Sequence, residues 1–236
     1  MGSHWTFPVG RQRLLPCRTP TTTCIPPPPE LSDDQVLFLT DILPTGYFAA
    51  ANASLKPGAS VVVIGCGPVG LFAAMCCQLF SPSSILAIDR VAYRLERAQA
   101  LGAMPVDASR NDVATAVFEA TEGRGADAVI EAVGSRETVR LAFDLVRTGG
   151  VVSVVGVLID QDFAFPMGTA FMKDLTFRIG LVNVQQYVPP LLALVRSKRL
   201  DPSQLISHRL ALAEGAKGYS LFAERRDGCL KVALSP

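Results

Sequence analysis

The stretch Ser60-Val61-Val62-Val63-Ile64-Gly65-Cys66-Gly67-Pro68-Val69-Gly70 decides how this chain folds. Its first five residues include four β-branched aliphatics in a row, the pattern of a strand buried on both faces. Three glycines with the spacing G-x-G-x-x-G follow at once, and an apolar segment of helical length, Pro68 to Phe80, follows them. A strand running directly through such a turn into a helix is the opening of a dinucleotide-binding βαβ unit. Gly65 permits the tight turn, Gly67 lets a phosphate approach the backbone, and Gly70 lets the helix pack closely on the sheet. Pro68 and Val69 start that helix, whose first amides favour negative charge.

Working outward, Ile85 to Ile88 reads as a second strand, ended by Asp89, 19 residues after Gly70. A carboxylate there accepts hydrogen bonds from the hydroxyls of an adenosine ribose and repels a 2′-phosphate, which favours NAD over NADP. Arg90 and Arg94 stand beside it; Arg94 reads either as a cation along the adenine face or as a solvated helix charge. Further strands are expected at Ala126 to Glu131, Gly150 to Val155 and Leu175 to Ile179. Helices are expected at Pro68 to Phe80, from Val91 to a stop at Gly102, near Val113 to Ala120 and near Glu137 to Val146. This alternation predicts an α/β fold with a doubly wound parallel Rossmann sheet. Ligands of such sheets bind at the carboxyl ends of the strands. Val133 and Gly134, Gly156 and Val157, and Gly180 to Val182 stand at such ends. They either flank a nicotinamide ring or simply terminate their strands.

Composition narrows the function classes. The 236 residues are 49% apolar and 18% charged, with 22 basic against 21 acidic side chains. A nearly neutral chain without basic clusters predicts no nucleic-acid partner. Gly58 to Ile88 carries no charge, but Gly65, Gly67, Pro68 and Gly70 interrupt it, so no membrane span is expected. Met1 to Arg13 lacks the apolar core of a secretory signal. Six cysteines without a C-x-x-C pair suit a reducing, cytoplasmic setting.

The ends differ from the middle. Seven of the 17 prolines fall within the first 30 residues. Ser32 and Gln35 form a capping box for a helix ending near Pro44, followed by a short helix at Gly46 to Ala53 and a turn at Lys56-Pro57-Gly58. Near the carboxyl end, Pro189 and Pro190 sit early in a helix reaching about Arg199. Another helix spans about Glu214 to Ala223, and a strand Cys229 to Leu234.

Four segments, in order, carry a resemblance. They are Leu31-Ser-Asp-Asp-Gln-Val-Leu-Phe-Leu-Thr-Asp41-Ile-Leu-Pro-Thr45-Gly-Tyr, Val63-Ile-Gly65-Cys-Gly67-Pro-Val-Gly70, Ala126-Asp-Ala-Val-Ile-Glu-Ala-Val-Gly134 and Ile206-Ser-His-Arg-Leu-Ala-Leu212. Together they resemble the zinc-containing medium-chain dehydrogenases, in the branch of the alcohol and formaldehyde dehydrogenases, over roughly residues 16 to 236. The resemblance implies NAD and zinc as cofactors, a small alcohol or aldehyde as substrate, and homo-oligomers formed through the Rossmann domain. It places Asp41 at the third zinc-ligand position and Thr45 close to the nicotinamide. In that family zinc polarises the substrate oxygen and stabilises an alkoxide while hydride passes to the nicotinamide.

The chain departs from the family by lacking a counterpart of most of the GroES-like catalytic domain, and with it a matching Cys and His ligand. His4, Cys17 and Cys24 offer the right atoms without ligand spacing. His208 is expected to have a structural or domain-contact role, with Ser207 facing away from it if the segment is extended. The expected organisation is a proline-rich segment and catalytic-domain remnant at 1–40, an NAD-binding Rossmann domain at 41–184, and a return to the catalytic domain at 185–236. The expected function is an NAD-dependent, zinc-type alcohol or aldehyde oxidoreductase, truncated and impaired in zinc binding. The alternative is a non-catalytic dinucleotide-binding or oligomerisation protein.

Overall fold

The computed structural model describes residues 25–159 and 162–236, together with two short strands near the amino end, β1 (Pro8–Val9) and β2 (Arg13–Leu14), which pair antiparallel. His4, Cys17 and Cys24 lie outside the described residues. The described chain divides into two compact units. One holds Leu39–Leu191, and the other joins the first 38 residues to Leu192–Pro236.

The larger unit is built on a six-stranded parallel sheet. Its strands are β3 (Ser60–Ile64), β4 (Ser84–Asp89), β5 (Met104–Asp107), β6 (Ala126–Glu131), β7 (Val146–Val154) and β8 (Thr176–Ile179), in the spatial order 5-4-3-6-7-8. Strand β3 is central, and all five of its residues are buried. The order reverses between β3 and β6, so the crevice of this doubly wound sheet opens at the carboxyl ends of those two strands.

Helix α1 (Asp33–Val36) opens on the expected capping box, in which the Ser32 amide donates to Gln35 Oε1 at 3.0 Å. A 3₁₀ turn, Leu37–Thr40, follows, and α2 runs from Ile42 to Asn52. Pro44 therefore does not end a helix; it sits in the first turn of α2, where a missing N–H removes no intrahelical bond. Helix α3 (Pro68–Cys77) packs on α2 so closely that a Cβ on Gly46 would stand 2.6 Å from Phe72 Cβ.

Helices α4 (Ala92–Ala100), α5 (Val113–Ala120) and α6 (Arg136–Leu145) cover the sheet. On one face a core of Val62, Ile64, Val129, Phe143, Leu145 and Val152 is joined by Phe165 and Phe177. The Phe143 ring stacks on Phe177 at 5.4 Å and meets Phe165 edge-on at 5.2 Å. Each fully buried Val, Leu or Phe side chain contributes roughly 1.5–3 kcal/mol.

The strand expected at Gly150 to Val155 is longer, because the pairing with β6 resumes at Val146 through a register shift. Two elements of the larger unit, β5 and a short helix, have no counterpart among the expected ones. Strand β5 contains Pro105, which is compatible with a strand only at a sheet edge, and β5 is an edge. Helix α7 (Met167–Met172) is a single short segment. Helix α8 (Val184–Arg196) starts early enough to hold Pro189 and Pro190 in its interior, and it is anchored by buried Val188, Leu191 and Val195.

In the smaller unit, β9 (His208–Ala211) pairs parallel with β10 (Val232–Ser235), and α9 (Gly215–Ala223) connects them. Arg196 Nε meets Glu30 at 2.7 Å, and Arg209 pairs with Asp34. No described helix is long and apolar enough to cross a membrane.

Candidate functional site

Three loops at the carboxyl ends of β3, β6 and β7 are held together by contacts that only glycine permits. Gly65 has φ +92°, and a Cβ there would lie 2.5 Å from Val133 Cγ2. A Cβ on Gly70 would meet the Gly65 carbonyl oxygen at 1.7 Å. Gly134, at φ +83°, sits so close to the next loop that a Cβ would be 2.6 Å from the Val157 amide nitrogen. Gly67 is different: nothing lies within 4 Å of where its Cβ would be. The turn is thus closed toward the protein at Gly65 and Gly70 and open at Gly67, the position where a bound phosphate needs room.

Gly67 is the N-cap of α3 and Pro68 its first residue. The amides of Val69 and Gly70 fall in the first turn, which has no intrahelical acceptors. The helix dipole and these amides together favour an anion.

Asp89 ends β4 and ties the turn to it. Its Oδ2 accepts the Cys66 amide at 2.7 Å, while Oδ1 accepts the amides of Arg90 at 2.7 Å and Val91 at 3.0 Å. Arg94 Nη1 lies 3.8 Å from Oδ2, and its guanidinium is 6.0 Å from the centre of the Tyr93 ring. Arg94 Nε is buried without a partner. Arg90 is exposed. Cys66 is buried between these groups, and burial, with the neighbouring Asp89 charge, pushes its thiol up to about 12. It is an inert filler of the turn rather than a nucleophile.

The side chains of Val133 and Val157 are exposed beyond the ends of β6 and β7. Gly180 follows β8, and Leu181 is 90% exposed. The cradle therefore unites Gly65, Gly67, Pro68, Val69, Gly70, Val133, Gly134, Gly156 and Val157, with Asp89 and Arg94 at its β4 side.

Asp41 and Thr45 lie in the same unit at the start of α2. Asp41 is exposed, and the Thr45 hydroxyl donates to its main-chain carbonyl at 2.9 Å and stands 3.3 Å from Oδ1. Among the described residues no group of three or more His, Cys, Asp or Glu side chains is arranged to hold a metal ion. Asp41 alone does not make a zinc site, which takes three or four protein ligands. The described donor set does not fit the metal implied by the resemblance.

The smaller unit corrects one expectation. Ser207 does not face away from His208: their Oγ and Nδ1 atoms are 3.0 Å apart. The pair is nonetheless not a nucleophile and its base. Ser207 Oγ donates to the Lys231 carbonyl at 2.9 Å and accepts the amides of Leu230 at 2.8 Å and Lys231 at 3.1 Å. Its proton is already committed to a carbonyl, so the hydroxyl serves to pin β9 to the segment before β10.

A parallel sheet in this order, with a glycine turn after its central strand, defines a doubly wound protein of the Rossmann class. The family described as zinc-binding dehydrogenase matches residues 68–197, and this chain belongs to that family. A probable zinc-binding alcohol dehydrogenase of Mycobacterium tuberculosis is 40% identical over 89% of the chain, which spans 54% of that protein. A zinc-type alcohol dehydrogenase-like protein of Bacillus subtilis is 32% identical over the whole chain, which spans 68% of it. Among solved structures, an alcohol dehydrogenase from Thermus sp. ATN1 superposes with a TM-score of 0.85 at 47% identity, with 89% of this chain and 60% of that one covered. The chain thus spans a little over half to two thirds of the length of these relatives.

Proposed function

We propose that this chain binds NAD(H) at the glycine cradle and serves hydride transfer between a small alcohol or aldehyde and the nicotinamide. The observation that carries the reading is the turn itself, blocked by backbone at Gly70, open at Gly67, and tied through Cys66 to Asp89. The amides of Val69 and Gly70 would hold the pyrophosphate, Asp89 the adenosine ribose, and Arg94 the adenine side. Val133, Gly134, Gly156 and Val157 would border the nicotinamide. The cofactor supplies the hydride acceptor; the chain orients it and excludes water with the two valines. Thr45 would lie close to the nicotinamide, its hydroxyl fixed by the Asp41 carbonyl at 2.9 Å with Asp41 Oδ1 3.3 Å away.

Homo-association through the larger unit belongs to the same reading. Its support is the open edge of β8, bordered by exposed Ile179 and Leu181. Cys66, Cys76 and Cys77 are buried thiols outside any disulfide, which suits a reducing cytoplasm.

Isothermal titration of the folded chain with NADH and NADPH tests the cofactor reading. Binding of NADH tighter than NADPH is expected, and no heat with either at about millimolar cofactor, a binding energy near 4 kcal/mol, would sink it. Alcohol-dependent NADH formation, measured beside elemental zinc content, tests whether the chain by itself turns over.

A further inference from the structure

Glu131, the last residue of β6, is the one Asp or Glu among the described residues that is fully buried. Its two oxygens are used very unequally. Oε1 accepts three hydrogen bonds, from the amides of Val133 and Gly134 and from the Thr138 hydroxyl, each at 2.8 Å. Oε2 is enclosed and has no partner. It faces Gly156, where a Cβ would come within 2.5 Å of it and within 2.2 Å of the Gly134 nitrogen. The Glu131 carbonyl meanwhile accepts the amides of Val155 at 2.9 Å and Gly156 at 3.0 Å.

One residue therefore organises two loops. Its side chain folds the loop after β6 back onto itself and, through Thr138, fastens the first turn of α6. Its main chain and its unpaired oxygen set the height of the loop after β7. An apolar side chain of the same length would fill the space without the penalty of a buried, unpartnered acceptor. Such a side chain could not receive the amides of Val133 and Gly134. What the carboxylate secures is the direction of those two amides and the clearance beneath Gly156, which together place Val133 and Val157.

We propose that Glu131 is a positioning residue for the nicotinamide half of the cofactor: it shapes the subsite between the two valine-bearing loops without touching the ligand. This rests on the NAD reading above. The adenosine half depends on other groups, namely the turn at Gly65 to Gly70, Asp89 and Arg94, so the two halves separate experimentally.

Titration of the full chain with AMP and with NADH, in the native protein and in the Glu131→Gln and Glu131→Ala variants, provides the test. Glutamine keeps one oxygen for the three donors but brings an NH₂ group against Gly156, disturbing the loop after β7. Alanine releases both loops. AMP affinity is expected to stay within about twofold, while NADH affinity falls in the order Glu, Gln, Ala, by tenfold or more for alanine, the factor equivalent to about 1.4 kcal/mol. The blue shift of bound NADH fluorescence is expected to fade in parallel. Should alanine prevent folding, the glutamine variant decides. Equal weakening of AMP and NADH in Glu131→Gln would show a merely structural role, and unchanged NADH binding would show none; either overturns the proposal. Failure of the native chain to bind AMP or NADH would instead remove the NAD reading, and the proposal with it.

Discussion

Asp89 accepts the amide of Cys66 at 2.7 Å, so the carboxylate that ends β4 also holds the phosphate turn that ends β3. The residue buttresses the turn, and the proposed binding of NAD(H) gives it a second task, accepting the adenosine ribose, which substitution tests. Asp89→Asn keeps an oxygen for the Cys66 amide, turns its NH₂ toward the amides of Arg90 and Val91, and removes the negative charge. NADH binding is expected to weaken and NADPH binding to change little or improve, because repulsion of the 2′-phosphate is relieved. A shift of about tenfold in the affinity ratio is expected by titration with both cofactors, the size of a 1.4 kcal/mol change. An unchanged ratio would exclude Asp89 from cofactor choice.

Gly67 and Gly70 are expected to respond in opposite ways to alanine. At Gly70 the new methyl would strike the Gly65 carbonyl, and a loss of stability of about 1–3 kcal/mol or more is expected, visible as a lowered thermal midpoint. At Gly67, where φ is −67° and the space is empty, the protein should fold with nearly unchanged stability yet lose cofactor binding. Calorimetry without and with NADH checks both. A Gly67→Ala protein that still binds NADH normally would place the phosphate elsewhere.

Acid stability should report on Asp127. Although partial burial opposes ionisation, the Ser60 amide, Arg147 and the Ser60 hydroxyl hold its carboxyl below the ordinary value of 3.8. Arg147 Nε lies 2.7 Å from Oδ1, and the Ser60 amide and hydroxyl each lie 2.8 Å from Oδ2. A lowered folded value means that the stabilisation is complete above pH 3.8 and disappears as pH falls through that folded value. Asp127→Asn should cost about 1 kcal/mol at neutral pH, a figure kept small because the half-buried pair with Arg147 is still reached and screened by solvent. Urea denaturation at pH 7 and at successive steps below pH 4 should show the variant and the native chain converging in acid.

Lys173 closes the carboxyl end of α6. Its ammonium donates to the carbonyls of Phe143 at 2.7 Å, Asp144 at 3.0 Å and Val146 at 2.9 Å. Lys173→Met preserves the stem but leaves these acceptors without their cation, at an expected cost of about 1.5–3 kcal/mol. Thermal denaturation measures it. A change below about 0.5 kcal/mol, the range of an ordinary surface substitution, would mean that water replaces the ammonium fully.

The free edge of β8 should govern self-association. Light scattering is expected to find a dimer at micromolar chain, and charges introduced by Ile179→Lys with Leu181→Asp should yield monomer without lowering AMP binding. A native chain that stays monomeric would remove the edge as an interface.

Local readings succeeded where the determining interactions are local. Strands β3 and β6 and helix α5 fall at the limits their apolar patterns predict, and Gly58 and Gly102 take the positive φ values their turns require. Pro44 misled, and the strand holding Pro105 went unread, because the effect of a proline depends on which N–H the structure needs. At the first turn of α2 and on an edge strand, none is needed. The mutual approach of Ser207 and His208 was likewise hidden, since the orientation of the serine is set by Lys231, more than twenty residues later.

By itself, then, the amino-acid order determined a parallel α/β sheet and a glycine turn with an acidic residue at the end of the next strand, because strand length, helical period and left-handed backbone are properties of a few consecutive residues. Only the tertiary structure decided why Gly156 is glycine and what Glu131 does. Neither residue is unusual in its own segment. Their roles arise from packing two loops, 25 residues apart in the chain, around one buried carboxylate, and buried hydrogen bonds follow from proximity in space rather than from position in sequence.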